Sequence, residues 1–186
     1  MAALDAFEGK WNQKPLVRDK RGIRLANQGM LVVKDHVVGH IEANKLFHFL
    51  KKNSAQKNYS IVPVKGVVVP KNEWNVDGQR VIQKYFERPS LGELLNYLDS
   101  LEAVRKKRMT PLRAEQFVGS PGFSYCERLL QKNPALSENV IMGAGDELRS
   151  DFKKSPQSRY AFFSFSNYLV FGADSKGRPK IGVIDL

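Results

Sequence analysis

The chain has 186 residues, of which 42% are hydrophobic and 26% charged, a balance typical of one folded domain rather than of a disordered segment. Its 30 Lys and Arg side chains outnumber its 19 Asp and Glu, and the formal net charge of +11 favours a polyanionic partner such as nucleic acid. The single cysteine, Cys126, excludes an internal disulfide, and the sequence shows neither a secretory leader nor a run of about 18 apolar residues. We therefore expect a soluble intracellular protein, cytoplasmic or nuclear, with no membrane partner.

Residues 1–28 are predicted to form an irregular basic arm. They are polar, are interrupted by glycine and proline, and belong to the third of the chain in which the basic excess is largest. Basic arms can lie along a phosphate backbone, which makes Arg18, Lys20 and Arg21 candidate nucleic-acid contacts. An ordinary surface segment whose tryptophan docks on the core is the alternative. A single domain, residues 29–186, is expected to follow.

Two β-rich segments flank a short helix in the next part of the chain. Residues 30–41 are rich in β-branched side chains and predict one strand or a hairpin. Leu46 and Leu50 belong to an apolar pattern at helical spacing, which predicts an amphipathic helix over residues 42–52. Residues 59–70 are again extended, and their prolines favour an edge strand or a bulged strand.

The strongest helix signal begins at residue 90, after a weaker helical pattern over residues 79–87. Ser90 and Glu93 match a capping box, and a leucine stripe continues for about four turns. The stripe ends at four consecutive cations, which are Arg105, Lys106, Lys107 and Arg108. Such a run either caps the helix C-terminus electrostatically or contacts phosphate, and both roles stay open.

Three further helical segments are predicted, over residues 110–118, 123–132 and 137–154, and a terminal hairpin closes the chain. The order is therefore β-rich, then helical, then β-rich. This order predicts an α+β fold with one mostly antiparallel sheet, built from N-terminal strands and a C-terminal hairpin and covered by a central group of helices.

Residues 158–171 are predicted to form a long strand, the first of the hairpin, because aromatic and β-branched residues fill this stretch. Side chains alternate across a strand. One face would carry Tyr160, Phe162, Ser164, Ser166 and Tyr168. The other would carry Ala161, Phe163, Phe165, Leu169 and Phe171. The second face is the more apolar one and is predicted to be the core, while the first face, with aromatics beside small hydroxyls, is typical of a binding surface. If helices cover both faces, these aromatics belong to the core instead.

Residues 158–165, Ser-Arg-Tyr-Ala-Phe-Phe-Ser-Phe, resemble the RNP1 octamer of the RNA-recognition motif. The aromatic residues fall in register with that motif, whereas Ser-Arg stands where the motif has a basic residue and glycine. The resemblance implies that Tyr160 and Phe162 stack on bases from an open sheet face and that Phe165 turns into the core. Arg159 joins the pair as a candidate nucleic-acid contact.

Candidates for catalysis and for metal binding are weak. His36 and His40 would share one face of a straight strand, yet no metal-ligand spacing completes a site around them, so no metal is predicted. His40 and Glu42 are the best candidates for an acid and base pair in a metal-free nuclease. Residues 174–176 have the D-x-K order of many nucleases but are predicted to form a turn. No phosphate-binding glycine loop is present, so no nucleotide or other cofactor is expected.

These observations predict a non-enzymatic nucleic-acid-binding protein, with single-stranded RNA or DNA favoured, that holds phosphates with Lys and Arg and stacks bases on exposed aromatics. Two alternatives remain. One is a nuclease acting on nucleic acid, and the other is a viral or phage structural or host-interaction protein with a basic assembly surface. Assembly into a homo-oligomer is left open.

Overall fold

The computed structural model shows a mixed α+β protein whose described residues fall into two compact units. The first unit consists of Met1–His40 and Lys65–Phe86, and the second of Ile41–Val64 and Glu87–Leu186. The residues that the structure describes are 17–18, 24–26, 31–34, 37–64, 66–69, 80–84, 88–113 and 122–186.

Strands and helices are numbered here in chain order. The strands of the described part are β1 Val17–Arg18, β2 Arg24–Ala26, β3 Leu31–Lys34, β4 Ser60–Ile61, β5 Gly66–Val69, β6 Arg80–Lys84, β7 Tyr168–Ala173 and β8 Pro179–Val183. The longer helices are α1 Val37–Asn53, α2 Leu91–Arg105, α3 Gly122–Lys132 and α4 Glu138–Lys154.

The sheet of the first unit is antiparallel, with the strand order β1-β2-β3-β6-β5. Its strand β6 shows that the helix predicted over residues 79–87 is wrong. Val81 pairs with Lys34 of β3 on one side and with Val68 of β5 on the other, so the strand has a partner along both edges. A short apolar run fits a strand as well as a helix, and here the pairing with two neighbours decides between them.

The N-terminal predictions have mixed outcomes. Two short strands, β1 and β2, lie within the segment predicted to be an irregular arm, and the rest of that segment is outside the described residues. The proposed boundary at residue 28 stays a prediction. The strand predicted over residues 30–41 is wrong in its second half, because β3 ends at Lys34 and α1 begins at Val37. The extended conformation predicted for residues 59–70 is confirmed by β4 and β5, which belong to different sheets.

The central helices α2, α3 and α4 are confirmed at nearly the predicted positions. The capping box of α2 forms as predicted: the Ser90 Oγ accepts a hydrogen bond from the Glu93 N–H at 3.1 Å, and the Glu93 Oε2 accepts one from the Ser90 N–H at 2.7 Å. Of the helix predicted over residues 110–118, residues 111–113 are helical, Thr110 precedes the helix, and residues 114–118 lie outside the described part.

The second sheet has the strand order β4-β8-β7. Strands β7 and β8 form the predicted terminal hairpin, whereas β4 runs parallel to β8. The prediction of one mostly antiparallel sheet is therefore wrong, since the strands before residue 35 and the hairpin lie in two separate sheets and the smaller sheet is mixed. The turn predicted at residues 174–176 is confirmed, because the Asp174 Oδ1 accepts hydrogen bonds from the backbone N–H groups of Lys176 and Arg178, both at 2.9 Å.

The second unit buries an apolar core between its helices and its sheet. Leucines of α1, α2 and α4 pack there with residues of the hairpin, and the fully buried members include Leu46, Leu50, Leu94, Leu148, Val170 and Ile181. A buried carboxylate, Asp151 of α4, accepts hydrogen bonds from the Tyr59 hydroxyl at 2.8 Å and from the Lys57 Nζ at 3.1 Å. Burial and this carboxylate both raise the pKa of Tyr59. These bonds tie the segment before β4 to the end of α4.

Candidate nucleic-acid interface

The segment after α4 does not form the long strand predicted over residues 158–171. It consists of a 3-10 helix, Pro156–Arg159, an extended stretch, and a second 3-10 helix, Phe165–Asn167, and β7 begins only at Tyr168. Backbone N–H groups of this segment donate to a carbonyl close by in the chain. The N–H groups of residues 160 and 161 both donate to the Gln157 carbonyl, at 3.0 and 3.1 Å. The sheet context that the RNP1 resemblance implies for this octamer is therefore absent.

The predicted alternation of side chains is nevertheless found in the part that is not a strand. Tyr160 is 80% exposed and Phe162 is 96% exposed, whereas Phe163 and Phe165 are half-buried against the core. Ser164 has an extended backbone, which sends successive side chains to opposite sides whether or not it has a ladder partner. Tyr160, at the end of the first 3-10 helix, has a helical backbone instead, so alternation does not account for its exposure. Tyr168 departs from the pattern, because it is fully buried rather than on the exposed face.

Two phenylalanines anchor this segment, residues 158–167, which we call the aromatic segment. The ring of Phe163 lies 5.5 Å from that of Phe152 and stacks at 5.3 Å on that of Tyr168. Phe165 enters a slot between two helices where both carry glycine: a Cβ added to Gly92 of α2 would lie 3.3 Å from the Phe165 Cβ, and one added to Gly145 of α4 would lie 3.2 Å from the Phe165 Cε1. The two glycines thus make room for this ring.

Hydrogen bonds hold the same segment at both of its ends. The Ser158 Oγ donates to the Ser155 carbonyl at 2.8 Å, and the Ile184 N–H donates to the Asn167 carbonyl at 2.9 Å. Between them, the hydroxyl oxygens of Ser164 and Ser166 lie 2.7 Å apart. Because the backbone is fixed in this way, the exposed aromatics project from a defined support.

The structure adds a cation that sequence reasoning missed. The guanidinium of Arg149, on α4, lies over the ring of Phe165, 4.8 Å from its centroid, and 5.6 Å from the centroid of Phe163. The side chain is exposed, as is that of the predicted contact Arg159. No pattern in the sequence singles out Arg149, since its position depends on how the aromatic segment folds back over α4.

The basic run Arg105–Arg108 is exposed and forms the C-terminal end of α2. The Arg108 N–H donates to the Ala103 carbonyl at 2.8 Å and the Lys107 N–H donates to the Val104 carbonyl at 2.9 Å, the two bonds of a Schellman motif. Lys107 has the positive φ of 56° that such a motif requires at this position. The backbone of the run therefore forms the end of the helix, and its exposed cations remain candidates for phosphate contact.

Glu102 partly neutralises this run. Its carboxylate forms an ion pair with Lys106 and lies 3.7 Å from the guanidinium of Arg105. The hydrogen bond from Lys106, followed by its charge, lowers the pKa of Glu102. Of the run, Lys107 and Arg108 form no ion pair with a described residue.

Within the second unit, the predicted contacts do not converge on one place. Phe165 packs beside Gly92 at the start of α2, whereas the basic run follows the other end of that helix, about 20 Å further along the axis at 1.5 Å per residue. Arg18 lies on β1 of the first unit. Lys20 and Arg21 lie outside the described residues. Of the candidates, Arg159, Tyr160 and Phe162 are thus brought together.

The acid and base pair suggested for a nuclease is not formed. His40 and Glu42 lie two residues apart on helix α1, and side chains at this spacing do not face each other. His40 is buried, and Glu42 bonds to Lys45 at 2.6 Å and to Gln157 at 3.4 Å. The hydrogen bond from Lys45 is the main cause that lowers the pKa of Glu42. His40 also lies on a helix and not, as predicted, on a strand face.

No protein-family model, curated protein or solved structure matched the chain. Among the described residues, no group of three or more His, Cys, Asp and Glu side chains could hold a metal ion. In the same part of the chain, no helix is long and apolar enough to cross a membrane.

Proposed function

We propose that the protein is a non-enzymatic nucleic-acid-binding protein that prefers single-stranded RNA or DNA. The observation that carries this proposal is the exposure of Tyr160 and Phe162 on a firmly held segment. In this proposal the two rings stack on bases, and Arg159 beside them contacts phosphate. The net charge of +11 supplies a long-range attraction for a polyanion.

The exposure of these rings favours a ligand that is flat and apolar. A phenylalanine that is 96% exposed keeps nearly all of its apolar surface in water, although large aromatic side chains usually bury most of theirs. Each base offers a flat face, and stacking on an aromatic side chain contributes about 1–3 kcal/mol. In a duplex these faces already stack on one another, so a single strand is the better ligand.

The test is a binding titration with labelled oligonucleotides of about 12 nucleotides, as single-stranded RNA, single-stranded DNA and duplex. We expect Tyr160→Ala and Phe162→Ala each to weaken single-strand binding by about 1–3 kcal/mol, with little change in the melting temperature, because both side chains are exposed. Fluorescence anisotropy in the presence of EDTA measures the affinity without cleavage. Leu112→Ala is a matched control, since Leu112 is another exposed apolar side chain, at 66%, outside the aromatic segment.

Two results would refute the proposal. One is that the wild-type protein binds none of the three oligonucleotides between about 50 and 200 mM salt. The other is that it binds them, but Tyr160→Ala and Phe162→Ala bind as tightly as Leu112→Ala. In the second case the basic surface alone would account for binding. A nucleic-acid ligand and one buried thiol, Cys126, fit a cytoplasmic or nuclear protein.

A further inference from the structure

Arg149 combines two features, contact with two aromatic rings and an exposed side chain. Its guanidinium carbon lies 4.8 Å from the ring centroid of Phe165 and 5.6 Å from that of Phe163, so two aromatic rings support it. Its side chain is nevertheless exposed, and it forms no ion pair with any described residue. The cation is therefore held in place without being neutralised.

A guanidinium in this position is suited to phosphate. A guanidinium that stacks its flat face on one aromatic ring keeps the N–H donors at its edge for two oxygens of one anion. Support by the rings also restricts the long side chain before any ligand arrives, so less entropy is lost on binding. An ammonium group has no flat face and cannot make the same paired contact.

The position of Arg149 relates it directly to the exposed aromatics. Phe163, which it contacts, directly follows Phe162 in the chain, so the cation contacts the residue next to the exposed ring. One turn further along α4, about 6 Å along the axis, lies the exposed cation Lys153. The Lys153 carbonyl accepts a hydrogen bond from the Ser158 Oγ at 3.2 Å, so this turn of α4 adjoins the start of the aromatic segment.

We infer that Arg149 is a phosphate-binding residue of this surface. Its guanidinium binds, through two N–H donors, a backbone phosphate of a single strand whose bases stack on Tyr160 and Phe162, and Lys153 contacts a further phosphate. This inference rests on the proposed function and extends it, because it identifies the cation that fixes the strand beside the aromatic pair. RNA and DNA share this phosphate chemistry, and the titration with both separates them.

The experiment compares Arg149→Gln, Arg149→Lys and Arg128→Gln in the full chain, with labelled oligothymidylate of about 12 nucleotides as the probe. Arg128 is a matched control, because it is exposed on another helix, α3, and also lies over a ring, that of Tyr125, at 4.9 Å. We expect Arg149→Gln to weaken binding about tenfold or more, as the loss of a charge-assisted hydrogen bond does. The slope of log K against log salt should become shallower by about 0.7, the value for one phosphate contact to a single strand.

The other two variants make the test specific. Arg149→Lys should keep most of the salt slope but lose part of the affinity, since it retains the charge and loses the paired donors. Arg128→Gln should bind like the wild type. The inference is overturned if Arg149→Gln and Arg128→Gln weaken binding equally. It is also overturned if Arg149→Gln has no effect on binding while Phe162→Ala weakens it. The proposed function survives in both cases. Absence of wild-type binding overturns both. If Arg149→Gln lowers the melting temperature, the affinity of Arg149→Lys decides the question instead. Wild-type affinity of Arg149→Lys would overturn the paired contact.

Discussion

Helix α4 contains two glycines that should respond in opposite ways to the same substitution. A Cβ added to Gly143 would meet nothing within 4 Å, whereas one added to Gly145 would lie 3.2 Å from the Phe165 Cε1 and 3.8 Å from the Leu91 Cδ2. Alanine in a helix interior is about 0.5–1 kcal/mol more favourable than glycine. We therefore expect Gly143→Ala to increase the free energy of unfolding by about that amount.

At Gly145 a second effect opposes this gain. The added methyl must displace the ring of Phe165, and overpacking of this kind costs about 1–3 kcal/mol. The net change for Gly145→Ala is therefore between about zero and a loss of about 2.5 kcal/mol. Since 1 kcal/mol shifts the melting temperature of a chain of this size by about 2–4 °C, the two variants should differ measurably.

Urea unfolding followed by far-UV circular dichroism measures the difference, because α2, α3 and α4 all lie in the second unit. Phe165→Ala supplies the control. Its half-buried ring should cost about 2 kcal/mol on removal, below the value for a fully buried phenylalanine, and without the ring Gly145→Ala should become as stabilising as Gly143→Ala. Equal stabilisation by the two glycine substitutions in the wild-type background would show that Phe165 does not occupy the slot.

Two further predictions concern the second unit. Lys107→Gly should raise the free energy of unfolding by about 1 kcal/mol, because a positive φ strains any residue with a Cβ; an unchanged or lower urea midpoint would contradict the Schellman geometry. Burial, with a contribution from the charge of Glu93, raises the pKa of Cys126 to about 12, so the thiol should react with a disulfide reagent at pH 8 only after urea unfolds the protein. Rapid labelling of the native protein would contradict this burial.

The helices and the hairpin could be predicted from the sequence because their signals are local. The capping box of Ser90 and Glu93 spans four residues, and the turn at Asp174 is closed by its own neighbours. Strand β6 and the first turn of α1 could not be predicted in the same way. The apolar run around Val81 fits two structures, and the choice depends on pairing with strands that are distant in the sequence.

The candidate site was predictable in part, for a different reason. Tyr160 and Phe162 are exposed as predicted although the strand itself was wrong, and Tyr160 has a helical backbone after a 3-10 helix, so its exposure does not depend on a strand. The role of Arg149 depends on packing between α4 and the segment that follows it, and the slot for Phe165 depends on Gly92, far earlier in the chain. Contacts of this kind produce no periodic pattern in a sequence.

The separation of the two basic regions determines how they can share a ligand. The run Arg105–Arg108 lies about 20 Å along α2 from the slot of Phe165, and a stacked strand advances about 3.4 Å per nucleotide, so a stacked strand needs about six nucleotides to cover that distance. A shorter strand that stacks on Phe162 can be neutralised only by cations beside the aromatic segment. In the proposed function, Arg149, which is held on two rings, and Arg159 are the cations that we expect to contact the phosphates of such short strands, while the basic run would add a salt-dependent attraction for longer ones.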